Sequence, residues 1–246
     1  MKKINITVGR FQPFTQGHLN MVNDGGGQCI VYQIIPNGIP ESLASFKVKG
    51  RKVSKKNVEN AIRKLNNEPV ELSDIEKEII KRPFTNELIK KEFDIIKPLN
   101  KNIKDVVYIK SMFDAFIHFS KFINEHADEY EPQWLLCGDD RKEQYDSTIA
   151  RIKSNDANTD VDAKVIGKLQ TYIGSGRTKG VSGTAVRESI ITNDKAAFER
   201  IMPRGTGVMF DEFVDAFTQY KDRLASIVKE SRTTLKDFII ESIKNI

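Results

Sequence analysis

Cysteine is nearly absent from this chain of 246 residues: Cys29 and Cys137 stand alone, each inside an apolar run, where a free thiol behaves as a small buried hydrophobe. A disulfide framework and a zinc site are not expected. Long hydrophobic runs are also missing. The longest, Cys29 to Ile35, is broken by Gln33 and falls far short of the ~20 residues that span a bilayer, so a membrane protein is not expected. The segment Met1-Lys2-Lys3-Ile4-Asn5-Ile6-Thr7-Val8 alternates like a strand and lacks the apolar stretch and small-residue cleavage site of a secretory signal, which predicts a cytoplasmic location. Tryptophan occurs once, against fourteen Phe, and the balance of 39% hydrophobic to 30% charged residues excludes collagen-like and low-complexity classes. A chain of this length can bury a core that needs no covalent staples. Its 39 basic and 34 acidic residues leave a net charge of +5, which favours anionic partners.

Short β-branched runs alternate with helical stretches through the first half. Ile4 to Val8, Cys29 to Ile35, Val106 to Lys110 and Trp134 to Cys137 read as strands, and this order predicts a parallel sheet. His18 to Asn23 forms the first crossover helix, closed by Gly25-Gly26-Gly27, residues that tolerate left-handed dihedrals at a helix end. Phe113 to Ile123 places Phe113, Phe116, Ile117 and Ile123 on one helical face that can cover the sheet. From Pro36 to Arg82 runs a basic insert with Lys47, Lys49, Arg51, Lys52, Lys55 and Lys56, then two helices, the second opening on the capping box Ser73 to Glu76. Met209 to Ile246 reads as two helices broken near Ser231-Arg232-Thr233-Thr234, with apolar stripes Phe210, Phe213, Val214, Phe217 and Leu235, Phe238, Ile239, Ile243. The expectation is an α/β domain over residues 1–205, a parallel sheet with helices on both faces and a basic helical insert at 36–82, followed by a C-terminal two-helix extension over 206–246.

Two segments carry chemistry. After the first strand comes Gly9-Arg10-Phe11-Gln12-Pro13-Phe14-Thr15-Gln16-Gly17-His18, a tight loop leading into a helix whose free N–H groups suit a phosphate. Gly17 admits an anion without a Cβ in the way, His18 can donate to a phosphate oxygen, and Arg10 adds a cation. A lone histidine is more often structural, but a Gly-His pair at a strand-helix junction lies where open α/β sheets bind ligands. The second segment is Val181-Ser182-Gly183-Thr184-Ala185-Val186-Arg187. Ser182 reads as an N-cap, with the Thr184 hydroxyl and Arg187 one turn on converging near the same helix end. Before it, Gly174-Ser175-Gly176-Arg177-Thr178-Lys179-Gly180 is basic and able to close over a polyanion. Alone, this stretch reads better as a simple capped helix after a loop.

Together the segments resemble the HIGH-type nucleotidyltransferase superfamily of Rossmann-like architecture. Thr15-Gln16-Gly17-His18 matches its first signature, Gly9 to Phe14 looks like the nicotinamide mononucleotide adenylyltransferase branch and its phage-encoded relatives, and Val181 to Arg187 matches the second signature. Arg82-Pro83-Phe84-Thr85 and Gly138-Asp139-Asp140-Arg141 are similar to further family segments, in the right order. The resemblance spans roughly Lys3 to Pro203 without the insert. It implies transfer of a nucleoside monophosphate, AMP from ATP, to a phosphate-bearing acceptor such as nicotinamide mononucleotide, with pyrophosphate released. Magnesium is implied on the triphosphate, with no dedicated metal site. His18, Thr15 and Arg187 would be the catalytic residues. Gly9, Arg10, Phe11, Gly17, Asp139, Arg141, Arg177, Ser182 and Thr184 would bind nucleotide, Asp139 and Arg141 near ribose, base or acceptor. Thr15 stands where the nicotinamide-type enzymes more often have His, leaving one imidazole instead of two; a cytidylyl or phosphopantetheine transfer is a further variant.

A competing reading is a phage structural or assembly protein that keeps the fold and binds neighbours, or copies of itself, through insert and tail; its location would be the virion rather than the host cytoplasm. Nucleic acid is not expected as a partner, because Phe46 alone gives too little aromatic interleaving in the basic insert.

Overall fold

The computed structural model describes residues 1–35, 38–154, 160–174 and 180–244, with side chains described as far as residue 230. β1 (Lys2–Gly9) leads through a loop into α1 (Gln16–Asp24) and β2 (Gln28–Ile34). The insert holds a two-stranded hairpin, β3 (Lys47–Val48) and β4 (Arg51–Lys52), then α2 (Lys55–Leu65) and α3 (Asp74–Ile80). α4 (Asn86–Leu99), β5 (Ile103–Ile109), α5 (Met112–Glu125) and β6 (Tyr130–Cys137) bring the chain back to the main sheet. α6 (Asp139–Lys153), the single turn α7 (Ala163–Ile166) and β7 (Gln170–Ile173) complete it, and α8 (Gly183–Ile191), α9 (Lys195–Ile201) and α10 (Phe210–Lys244) follow.

The main sheet is wholly parallel, in the order β5-β2-β1-β6-β7. The chain builds outward from β1 to β2 and β5, then crosses to β6 on the other side of β1. The C-terminal ends of β1 and β6 therefore flank a topological switch point, the place where open α/β sheets leave a crevice. Alternation along each strand splits the core in two. Ile4, Ile6, Val8, Ile30, Tyr32, Leu135 and Cys137 pack with α5, α6 and α7; Cys29, Val31 and Leu136 face the layer that contains α1, α4, α8, α10 and the insert. Sheet strands covered on both sides match the α/β class expected from sequence.

Polar groups fix the details around β1. The buried Asn5 side chain donates to the carbonyls of Gly25 and Gly26 and accepts from the Trp134 amide at 3.2 Å, tying the end of α1 to the irregular step in the β1–β6 register. Gly26 and Gly27 have φ of +63° and +76°, the left-handed exit expected of the glycine run.

The C-terminal extension corrects the sequence reading. It is one helix of 35 residues and not two. Ser231-Arg232-Thr233-Thr234 contains neither Gly nor Pro, and Ser and Thr cost a helix only about 0.5 kcal/mol each relative to Ala, too little to break it. Phe210, Phe213 and Phe217 are buried in the same cluster as the insert, with Phe213 edge-on to Phe84 at 4.8 Å and α10 packed against α2, α4 and α8. Burying each such ring contributes about 2–3 kcal/mol. The second stripe, Leu235 to Ile243, lies outside the described side chains.

Candidate functional site

The loop from Arg10 to Thr15 takes its shape from segments far along the chain. The Gln12 side chain acts like a strand edge towards Phe84, accepting from its amide at 3.1 Å and donating to its carbonyl at 3.3 Å. The Phe14 amide donates to Glu92 Oε2 at 3.3 Å, and Arg187 Nη1 donates to the Gln12 carbonyl at 3.3 Å. The two signature segments and the Arg82–Thr85 segment thus meet on one loop. Phe11 is buried, edge-on to Phe14 at 5.0 Å, and its ring would lie 2.8 Å from any Cβ at Gly9. The Phe11 ring is packed in place, and a side chain at residue 9 would force it to shift.

Thr15 is the N-cap of α1 and closes a capping box with His18. The Thr15 amide, which can only donate, is 2.9 Å from His18 Nδ1. Nδ1 is therefore the acceptor, and the neutral imidazole carries its proton on Nε2. The ring is held between Phe11 and Phe14, with centroids 4.9 and 5.3 Å away. Thr15 and the aromatic pair together fix both the tautomer and the plane of His18.

Ser182 caps α8 by accepting from the Ala185 amide at 3.1 Å. Arg187, one turn on, donates through Nη2 to Thr184 Oγ1 at 3.0 Å as well as to the Gln12 carbonyl. Burial lowers its pKa to about 10, so it remains a cation at neutral pH. The approach of the two segments depends on two missing side chains. A Cβ on Gly17 would sit 3.4 Å from the Val181 carbonyl oxygen, and one on Gly183 would sit 3.1 Å from that of Gln12. The N-terminal turns of α1 and α8 contain no acidic residue. Two helix ends with free N–H groups and no carboxylate make an electropositive corner.

α6 differs. It begins beside the crevice with Asp139 and Asp140 in its first turn, which offsets its positive end. Arg141 is exposed, donates to Gln144 at 3.2 Å and lies 3.7 Å from Asp140. Tyr145 anchors the helix by donating to the Val8 carbonyl at 2.7 Å. Arg10 projects from the end of β1. Loss of solvent, then the like charges of Arg82 and Arg141, hold its guanidinium below the ordinary value, with Glu78 opposing them. Arg177 and Lys179 lie outside the described residues.

Sequence reasoning missed two residues that build this corner, Gln12 and Glu92. Gln12 was visible only as a motif letter. Glu92 left a usable trace: it falls on the apolar stripe of α4 with Leu88, Ile89, Phe93 and Ile96, where an acid has no business unless it holds something. Among the described residues no group of three or more His, Cys, Asp or Glu side chains could hold a metal ion.

No protein-family model matches the sequence, and no curated protein does. Among solved structures, the chain is similar to a bifunctional NMN adenylyltransferase/ADP ribose pyrophosphatase from Francisella tularensis, complexed with AMP and a Mn ion: TM-score 0.46, 14% identity, 96% of this chain and 56% of that one. It is also similar to the Plasmodium falciparum nicotinic acid mononucleotide adenylyltransferase, complexed with NaAD (TM-score 0.40, 12% identity) and with APC (0.38, 13%), each over 91% of this chain and 98% of the other. The chain spans little more than half the length of the Francisella protein. Likenesses at this level carry no inference about activity.

Proposed function

We propose that the protein is a nucleotidyltransferase that moves a nucleoside monophosphate, AMP from ATP in the first instance, to the phosphate of a small acceptor of the nicotinamide mononucleotide class. The observation that carries this reading is the meeting of two acid-free helix N-termini, α1 and α8, at the C-terminal edge of the sheet, with His18 and Arg187 fixed beside them. Such a corner favours a polyphosphate over a neutral ligand. The reaction needs no group to be covalently modified. An oxygen of the acceptor phosphate attacks the α-phosphorus in line, a new P–O bond forms, and the bond to the departing pyrophosphate breaks.

In this reading the amides of α8, with the Ser182 and Thr184 hydroxyls, hold the β and γ phosphates. His18 donates its Nε2 proton in a hydrogen bond to an oxygen that gains charge in the transition state, and Thr15 keeps that nitrogen protonated. Arg187 keeps the loop against α8 and adds a fixed charge. Gly17 lets the phosphates approach the backbone. Asp139, whose helix end is a poor phosphate site, suits a ribose hydroxyl, with Arg141 beside it. A magnesium ion carried by the triphosphate would supply further neutralisation of its charge.

The test is pyrophosphate release from ATP and magnesium across a panel of phosphorylated acceptors. Release should require one acceptor class, and His18→Ala should lower its rate by about 10²–10³-fold. No release with any acceptor would overturn the reading.

A further inference from the structure

The insert walls a cavity of about 540 Å³ against the Arg10 end of the site loop. Arg10, Lys47, Lys49 and Arg82 line it, against Glu78 as its carboxylate, with Ile79 and Tyr220 behind. We propose that this cavity binds the phosphate of a small organic phosphate of about mononucleotide size; its assignment as the acceptor's subsite rests on the nucleotidyltransferase reading, whereas the anion site does not.

Several observations converge on an anion. Register in the β3–β4 hairpin puts Lys47 directly opposite Lys52, an arrangement of like charges that weakens a ladder. Its turn uses Lys49 at φ +50° and Gly50 at φ +76°, the geometry of a tight hairpin, but with a lysine where Asn or Asp is preferred. That choice delivers a cation to the cavity. Lys49 reaches Glu78 at 3.1 Å, where Lys81 at 2.9 Å and Arg82 at 3.5 Å also arrive. One carboxylate cannot neutralise so many cations. Glu78 is ionised in the folded protein: burial alone would raise its pKa, but Lys81 and Lys49 bring it down to about 2. It orders the cations and leaves their excess charge facing the cavity.

The walls are built to last. Glu76 accepts from Asn57 and Asn60, both at 3.0 Å, and locks α2 to α3, while the Tyr220 hydroxyl donates to the Ile79 carbonyl and pins α10 to the same unit. Arg82 and Glu78 side chains are only 22% and 11% exposed, so their charges are poorly screened by water. The volume suits a ligand with a body as well as a phosphate, within the range of about 300–1,000 Å³ for small-molecule sites. Arg10 belongs both to this cavity and to the start of the loop that ends at His18, so a phosphate held here would lie next to the triphosphate corner.

The test is calorimetric titration of the full chain with ribose 5-phosphate and with ribose, and separately with ATP, repeated on the exposed double variant Lys47→Gln/Lys49→Gln and on Arg82→Gln. Ribose 5-phosphate should bind, ribose should not, and both variants should weaken ribose 5-phosphate by roughly tenfold or more while leaving ATP affinity within about twofold. Equal binding of ribose and ribose 5-phosphate, or unchanged binding in the folded double variant, would overturn the proposal. A parallel loss of ATP affinity would also overturn it, because the cavity would then be part of the triphosphate corner. If ribose 5-phosphate binds as expected and ATP does not bind the unaltered protein at all, the anion site stands and the nucleotidyltransferase reading falls.

Discussion

Replacing Glu92 with glutamine should stabilise the protein by an amount that grows with pH. The carboxyl is fully buried, Oε2 accepts from the Phe14 amide, and Oε1 has no hydrogen-bond partner among the described residues. Burial pushes its pKa well above the ordinary carboxylate range, and the Phe14 amide only partly opposes this. In the unfolded chain the same group titrates near 4.3. Between those two values the native protein holds a proton at Glu92 that the unfolded chain has lost, so this group's contribution to stability is greatest at low pH and falls by about 1.4 kcal/mol for each unit of rising pH. Glutamine has no proton to lose. The stability difference between Glu92→Gln and the parent should therefore widen by that amount per unit until the folded pKa is passed. With a urea m-value of about 3 kcal/mol/M for a chain of this size, each pH unit separates the two midpoints by roughly 0.5 M. Urea unfolding followed by circular dichroism at pH 5, 6 and 7 measures the slope. A difference that stays constant across that range would mean that the acid is ionised inside the protein, and the burial argument would be wrong.

The clasp between the two helix ends gives further expectations. Arg187→Lys keeps the charge but cannot span both the Gln12 carbonyl and Thr184, so it should cost about 1–2 kcal/mol in urea unfolding and weaken ATP at least tenfold; unchanged ATP affinity would count against the clasp. Gly183→Ala places its Cβ 3.1 Å from a backbone oxygen, whereas Gly17→Ala meets one at 3.4 Å. Thermal melts should therefore show the larger loss at 183, about 1 kcal/mol or more, while Gly17→Ala should melt almost normally and lose triphosphate affinity. The reverse order of melting temperatures would refute the contacts as described.

What could be read in advance was what is local. Gly9 to His18 announces a strand, a tight loop and a helix within ten residues, and Ser182 to Arg187 announces a capped helix; both form as the spacing predicts. β7 escaped notice because Gln170-Thr171-Tyr172-Ile173 is too short and too polar to stand out, and its place in the sheet is set by pairing with β6. The hairpin in the insert was hidden by its charge: Lys47 to Lys52 reads as a solvated run, and only the Lys49-Gly50 turn makes it a ladder. The continuous α10 was obscured by overrating Ser and Thr as breakers. Glu92 and Gln12 draw their meaning from partners 78 and 72 residues away, which no periodicity can reveal.

The loop between β1 and α1 precedes its partners at Phe84, Glu92 and Arg187 by 72 to 175 residues, so they are made much later. A ribosome synthesising this protein has released the strand and helix that frame the corner long before residue 187 can reach Gln12. If the protein is the nucleotidyltransferase proposed above, nascent chains are therefore expected to remain unable to grip a triphosphate until Arg187 is outside the exit tunnel. The order of synthesis itself would keep unfinished molecules from sequestering nucleotide.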